Sequence, residues 1–276
     1  MTAMKNPNRI IMLNDCSDAN ARSRIESQVA RLFPGVETVF YKAEPFATLS
    51  LSFLLSEAEF GEGDLVLFNA APRNSDQTFA DNRGGVMVFA VLKSGAILVG
   101  PNEGNSLTLL KNEVSELFLK RGDDGNKTGT QFRSAYVFPK AAAEFVATSL
   151  EKRNGQYEAM DLNEWPWRPL KDERILWIDS FDNIKLSSTQ ALEANREYTV
   201  RIIREGKLVG ELRVPYREKL TKLAPGELGL ITGSSLKEQG MELARRTGQV
   251  GLAGARRLIE EEHGFSIQVE DVIQIS

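Results

Sequence analysis

The sequence predicts an α/β domain with a mainly parallel sheet, followed by a second, β-rich domain. Three observations predict it. In the first part of the chain, short apolar runs alternate with stretches whose apolar residues recur at helical spacing. From Arg174 onward the pattern changes to two-residue alternation punctuated by Gly turns. Between them lies "NGQYEAMDLNEWPWRPLKDE", with two Trp and two Pro among polar residues and no period. That stretch is a linker, packed rather than floppy because of its tryptophans. The domains expected are therefore 1–168 and 173–276.

The elements follow in order. "RIIML" at 9–13 is a buried strand running into the polar loop "NDCSD". "ANARSRIESQVARLF" places Ile25, Val29 and Leu32 on one helical face, and Pro34-Gly35 stops it. "VETVFYKA" is a second strand. "PFATLSLSFLLSEAEF" is a helix with Pro45 at its start. "DLVLFNAA" is a third strand, and "GGVMVFAVLKSGAILVG" is two strands joined by a "KSG" turn. Ligands of such sheets sit beyond the carboxyl ends of strands, where "NDCSD" and "NAAPRNSDQTF" fall. "KRGDDGNKTGTQ" is a polar loop and "PKAAAEFVATSLEK" a helix. In the second part, "RILWID", "EYTVRIIREGKLVGELRVPY", "GELGLIT" and "FSIQVEDVIQI" are strand-like, and "GLAGARRLIEEEHG" is helical.

Composition narrows the chemistry. The 276 residues are 42% hydrophobic and 26% charged, ordinary for a globular chain able to bury a core. A formal net charge of −4 gives no global signal for nucleic acid or membrane. The basic clusters "ELARRTG" and "GARRL" sit beside acids and read as solvated helix faces. A single cysteine, Cys16, excludes an intramolecular disulfide and a cysteine zinc cluster. A single histidine, His263, weighs against a histidine metal site or a Ser-His-Asp triad; its place in "EEEHGF" is that of a cation at a helix C-terminus. No metal is expected. No apolar run reaches the roughly 18 residues of a spanning helix, and the first residues hold no long apolar leader, so a cytoplasmic location is expected. No "GxxxxGK[ST]", no "GxGxxG" after a strand and no "GxSxG" occurs.

The stretch "ILWIDSFDNIKLSS" carries Asp179, Phe181 and Asn183 at alternate positions, which on a strand would face the same side. A buried core face would not hold an acid, a ring and an amide together. With this stretch and the two-part layout in view, the sequence resembles the fluorinase and S-adenosylmethionine hydroxide adenosyltransferase family. The likeness runs along nearly the whole chain in order. "IIMLNDCSD" resembles a strand ending in a "TDFG"-like turn, "GDLVLFNAAPR" the strand ending in "VVDPGVG", and "ILVGPNEGN" resembles "fvaPDNGL". "QFRSAYVFPKAAAEFVA" resembles "TFHGRDVFAPAAAHLA", "WIDSFDNIKLSS" resembles "IDrFGNlvTNI", and "GLITGSS…GMELARRTGQ" resembles "INSsG.leIAvn.G". "VEDVIQI" resembles the closing "GDxVxv" strand.

The resemblance implies that the β-rich part is an all-β C-terminal barrel domain and that the protein is a homotrimer with its sites between subunits. It implies an enzyme that cleaves S-adenosylmethionine by nucleophilic displacement at the ribose 5′ carbon. Methionine leaves, and adenosine or a 5′-substituted adenosine forms. S-adenosylmethionine is then substrate or ligand, with no separate cofactor, no nucleic acid and no membrane partner.

The resemblance also implies roles. Asp15 matches the acid that accepts both ribose hydroxyls; by itself, an Asp after a strand could equally cap the following helix. Asp179 matches the acid that pairs with the methionine ammonium, Phe181 the ring against adenine, and Asn183 the amide on its edge. As plain residues, Asp179 and Asn183 could be turn formers and Phe181 core. Ser234 and Ser235 lie near the methionine carboxylate position, or are ordinary loop residues. Thr247, Gly248 and Gln249 match backbone contacts to adenine. Asn102 and Glu103 form a tight turn.

The pattern breaks around the nucleophile. Hydroxide-using members hold an Asp, an Arg and a His there; this chain has Ala71 at the acid's place and Arg133 at the histidine's. Arg83 or Arg73 could supply the Arg, and Asp76 or Asp81 a substitute acid. Arginine stays protonated and is no base at neutral pH. Three outcomes stay open: an anionic nucleophile held by Arg133, a replacement acid, or a non-catalytic protein that binds an adenosyl ligand. In the family a glycine separates the ring and the amide, and here Asp182 stands in its place.

Overall fold

In a computed structural model the chain separates into two compact units, Met1–Pro169 and Leu170–Ser276. The structure describes residues 6–70, 86–101, 104–120, 132–148, 155–165, 167, 170–238, 240–247 and 253–276.

The first unit is built on one seven-stranded sheet: β1 (Arg9–Asn14), β2 (Glu37–Lys42), β3 (Asp64–Asn69), β4 (Met87–Leu92), β5 (Ile97–Pro101), β6 (Val114–Lys120) and β7 (Tyr157–Ala159). The spatial order is β2-β1-β3-β5-β4-β6-β7. β1 pairs in parallel with β2 and β3, and β3 with β5. β4 runs antiparallel to β5 and β6, and β6 to β7. The sheet is therefore mixed, not mainly parallel. The cause is visible at Lys93–Ala96: a connection that short can only reverse the chain, so β4 and β5 become a hairpin.

Alternation along the strands builds two cores. Ile10, Met12, Leu65, Leu67 and Phe89 face α1 (Ala19–Leu32) through Ile25 and Val29. Phe145 stacks on Phe89 with ring centroids 4.7 Å apart. It belongs to a helix, Phe138–Ala147, that follows the short helix α3 (Arg133–Tyr136) and is called α4 here. On the other face Ile11, Leu13, Val66 and Phe68 pack against Leu51 and Leu55 of α2 (Thr48–Glu57). α2 begins three residues after Pro45, because Phe46 takes a left-handed φ of 65° that ends any helix there.

The second unit is also a seven-stranded mixed sheet. Its strands are β8 (Ile175–Ile178), β9 (Ile184–Leu186), β10 (Glu197–Arg204), β11 (Lys207–Arg217), β12 (Leu228–Thr232), β13 (Met241–Arg245) and β14 (Val272–Ile275). The order is β14-β10-β11-β12-β13-β9-β8, antiparallel except for β11 beside β12. Glu205 and Gly206, both left-handed, make the tight β10–β11 turn. The expected all-β barrel is not found: the sheet does not close. Among the described residues β8 and β14 are the two ends of the strand order, and they are joined only locally: by the isolated bridge Arg174 to Val272 and by backbone hydrogen bonds from the Ile273 N–H to the Glu173 carbonyl (2.8 Å), from the Ile175 N–H to the Asp271 carbonyl (3.0 Å) and from the Glu270 N–H to the Ile175 carbonyl (2.8 Å). The short helix α5 (Ala255–Leu258) packs Ala255 into the core, and Ile259 follows it there. His263 closes the next turn before the left-handed Gly264. Among the described residues, no helix is long and apolar enough to cross a membrane.

Candidate functional site

In the first unit the chain leaves β1 toward β2 on one side, while β3 and the rest of the sheet lie on the other. The carboxyl ends of β1 and β3 thus flank the place where open sheets of this kind receive ligands. Asn14 and Asn69 are register partners there, and Asp15 comes next, its N–H donating to the Asn69 carbonyl at 3.1 Å. The Asp15 carboxylate accepts from the Asn69 side-chain amide at 3.0 Å and lies 3.5 Å from the Phe46 N–H. Asp15 does not cap α1. Asp18 does, with Oδ1 accepting from the N–H groups of Asn20 and Ala21 at 3.0 Å each. Asn14 Oδ1 accepts from the Cys16 N–H at 2.9 Å and shapes the turn between them.

Phe46 is half exposed beside this carboxylate, in the backbone conformation noted above. Strain of this kind collects at functional sites. Asn69 and Phe46 were missed in the sequence. Asn69 had a signal, an amide ending the apolar run Leu65–Phe68; Phe46 had none beyond its Pro45 neighbour.

The opposite edge of the same two strands is structural. Arg9 and Asp64 are register partners joined at 2.6 Å. Burial by itself would raise the Asp64 carboxyl, but hydrogen bonds from Arg9 and from the Gly61 N–H, with the Arg9 charge, hold it below its ordinary value.

Arg133 opens α3 with its guanidinium 5.1 Å from the centre of the Phe138 ring. Next to it, Arg24 of α1 lies over Phe132 and donates to the Tyr136 hydroxyl at 3.0 Å. Arg133 is thus placed where α1, α3 and α4 meet. Ala71, Arg73, Asp76, Asp81, Arg83, Asn102 and Glu103 lie outside the described residues.

In the second unit, the reading of Asp179, Phe181 and Asn183 as one strand face is corrected. Residues 179–183 are the turn between β8 and β9, so alternation there does not select a face. Asp179 organises that turn. Its Oδ1 accepts from the N–H groups of Phe181 and Asn183 at 2.9 Å each, and its Oδ2 from the Asn183 side-chain amide at 3.1 Å. Phe181 stands at the tip, 76% exposed.

Asp182 does adopt the left-handed backbone a glycine would favour, with φ of 62°. Aspartate is among the residues that tolerate it, and α5 clamps it. Arg256 donates to the Asp182 carboxylate at 3.0–3.1 Å and through its own N–H to the carbonyl at 3.0 Å; Arg257 lies 3.7 Å away. Gly254 is required by this clamp, since a Cβ there would collide with the Phe181 carbonyl.

Two further residues missed in the sequence join the turn to β13. Lys185 and Glu242 are register partners, and their charges meet at 2.5 Å; Lys185 Nζ also lies 3.6 Å from Asp179 Oδ2. Glu242 is buried, and Gly233 leaves room beside its carboxylate. Ser234 is exposed. Ser235 is buried, its hydroxyl without a hydrogen-bond partner among the described residues, at the start of a turn whose Leu236 and Lys237 are left-handed. Thr247 lies half-buried just beyond β13, while Gly248 and Gln249 fall outside the described residues. Among the described residues, no group of three or more His, Cys, Asp or Glu is placed to hold a metal ion.

No protein-family model matches the chain, and no curated protein matches it. Solved structures do. An uncharacterized conserved protein from Thermotoga maritima is similar at TM-score 0.68 and 17% identity, over 97% of this chain and 100% of that one. A conserved hypothetical protein from Thermus thermophilus is similar at TM-score 0.62 and 18% identity, over 98% of this chain and 100% of that one. At such identities the likeness is one of fold, and it spans both units.

Proposed function

We propose that the protein binds S-adenosylmethionine and cleaves it by displacement at the ribose 5′ carbon, releasing methionine. The observation that carries this reading is Asp15. Its carboxylate stands at the carboxyl end of β1, beside Asn69 of β3, and the helix cap that would otherwise explain it belongs to Asp18. A carboxylate offers two acceptor oxygens, as a vicinal ribose diol requires. In the reaction, the C5′–sulfur bond of the sulfonium breaks, its electron pair returns to sulfur, and the incoming nucleophile forms the new bond to C5′. An anionic nucleophile needs no base, which suits a site with Arg133 in place of a histidine. The active assembly on this reading is a homotrimer with sites between subunits.

A second reading has its own observation. The Arg133 guanidinium rests on the Phe138 ring and cannot take a proton from water. That favours a protein that binds an adenosyl ligand without turning it over.

Incubation of the purified protein with S-adenosylmethionine, with and without chloride, followed by mass spectrometry of adenosine species, separates the two. Methionine with adenosine or 5′-chloroadenosine is expected. Binding without product would select the second reading, and no binding would remove both.

A further inference from the structure

The acid that the functional reading assigns to the ligand's ammonium is already occupied by the protein. A carboxylate has about four acceptor positions. On Asp179, the N–H groups of Phe181 and Asn183 and the Asn183 amide fill three, and the Lys185 ammonium stands 3.6 Å from Oδ2. Lys185 is held in that place. Its side chain is only 13% exposed, and it is paired across the strands with the buried Glu242, which meets no other cation among the described residues. Around the turn tip, Asp182 is likewise matched by Arg256 and Arg257. A ligand ammonium brought to Asp179 would share one oxygen with Lys185 and face a like charge a few ångströms away. In a half-buried place such repulsion is poorly screened.

We propose that Lys185 sets ligand selectivity at this turn by standing in for a cationic tail, so that the site accepts 5′-thioadenosyl compounds without regard to an α-ammonium. This rests on the adenosyl-ligand reading and widens its substrate class to compounds whose tail lacks the amino acid. Affinity then resides in the adenosine end, with the exposed Phe181 ring at the turn tip.

The experiment compares dissociation constants for S-adenosylhomocysteine and 5′-methylthioadenosine by calorimetry on the full chain. The wild type is expected to bind 5′-methylthioadenosine at least as tightly as S-adenosylhomocysteine. Removing Lys185 alone strands Glu242, so the variant is the double substitution Lys185→Met with Glu242→Gln, which leaves Asp179 charged. It should favour S-adenosylhomocysteine at least tenfold, with 5′-methylthioadenosine affinity unchanged as the check on folding. A wild-type preference of tenfold or more for S-adenosylhomocysteine would overturn the inference while leaving the functional reading intact. So would a double variant with an unaltered ratio. Failure of both compounds to bind the wild type would overturn the functional reading, and the inference with it.

Discussion

Asp15 and Asp179 both follow the last residue of a strand, yet the chain treats them in opposite ways. Asp179 is consumed locally: its three hydrogen bonds come from residues two and four positions away, and they hold a five-residue turn in shape. Asp15 is held by tertiary partners, the amide of Asn69 and the backbone of Phe46, while a different residue, Asp18, does the local work of capping α1. The difference teaches that an acid after a strand cannot be assigned from its place alone. An acid that satisfies its own turn is part of the scaffold. An acid fixed across strands, where the strand order reverses, is not explained by its own turn.

The comparison is most severely tested at Lys185. Lys185→Ala should destabilise the second unit by about 3–5 kcal/mol, because it leaves the buried Glu242 carboxylate uncompensated. Chemical denaturation followed through tryptophan fluorescence should show it, and a loss under about 1 kcal/mol would mean that Glu242 reaches water. Asp179→Ala comes next. It should cost about 2 kcal/mol by leaving two backbone N–H groups and an amide without their acceptor. Asp179→Asn should recover part of that, since an amide oxygen can still accept.

These residues also mark what the sequence could show. The strands of the first unit were legible because β1, β3, β4 and β5 are nearly continuous apolar runs. Their directions were not. When strands are buried on both faces, apolar period does not distinguish parallel from antiparallel; here the direction of β4 and β5 is set by the short turn at Lys93–Ala96. The barrel is an expectation drawn from likeness alone, and the local bridge and backbone hydrogen bonds between the β8 and β14 ends do not make a ladder among the described residues. Asp179, Phe181 and Asn183 misled for a different reason: a turn that begins directly at a strand end continues its alternation by accident. Lys185 and Glu242 could not be found at all, and Asn69 only as a polar strand end, because each acquires its role from a partner across the sheet, and pairing register is absent from a single sequence.

At the far edge of β1 and β3, acid should act through Asp64. Its carboxyl titrates below the ordinary value because Arg9 and Gly61 bind the charged form. Stability from this group is therefore complete above the unfolded-chain value of about 4 and is lost as pH falls through the lower folded value. The wild-type urea midpoint should drop between about pH 5 and pH 2 by more than that of Asp64→Asn, which is weaker at neutral pH but lacks this dependence. Parallel curves would mean that the Arg9 pair contributes nothing, as exposed pairs often do; Arg9 is 37% exposed.

The smallest stability effect carries the largest functional consequence. Asp15→Asn keeps the shape of the side chain and an oxygen able to accept from Asn69, so it should change stability by less than about 0.5 kcal/mol. Asp18→Ala, three residues on, should cost about 1 kcal/mol through the lost α1 cap. Adenosyl-ligand affinity should move the other way: reduced at least tenfold by Asp15→Asn and unchanged by Asp18→Ala. The ribose role needs two charged acceptor oxygens, and the amide supplies one neutral acceptor and one donor pointed at a hydroxyl. If both variants bind equally well, Asp15 is scaffold after all, and the contrast with Asp179 collapses into two versions of the same turn-forming acid.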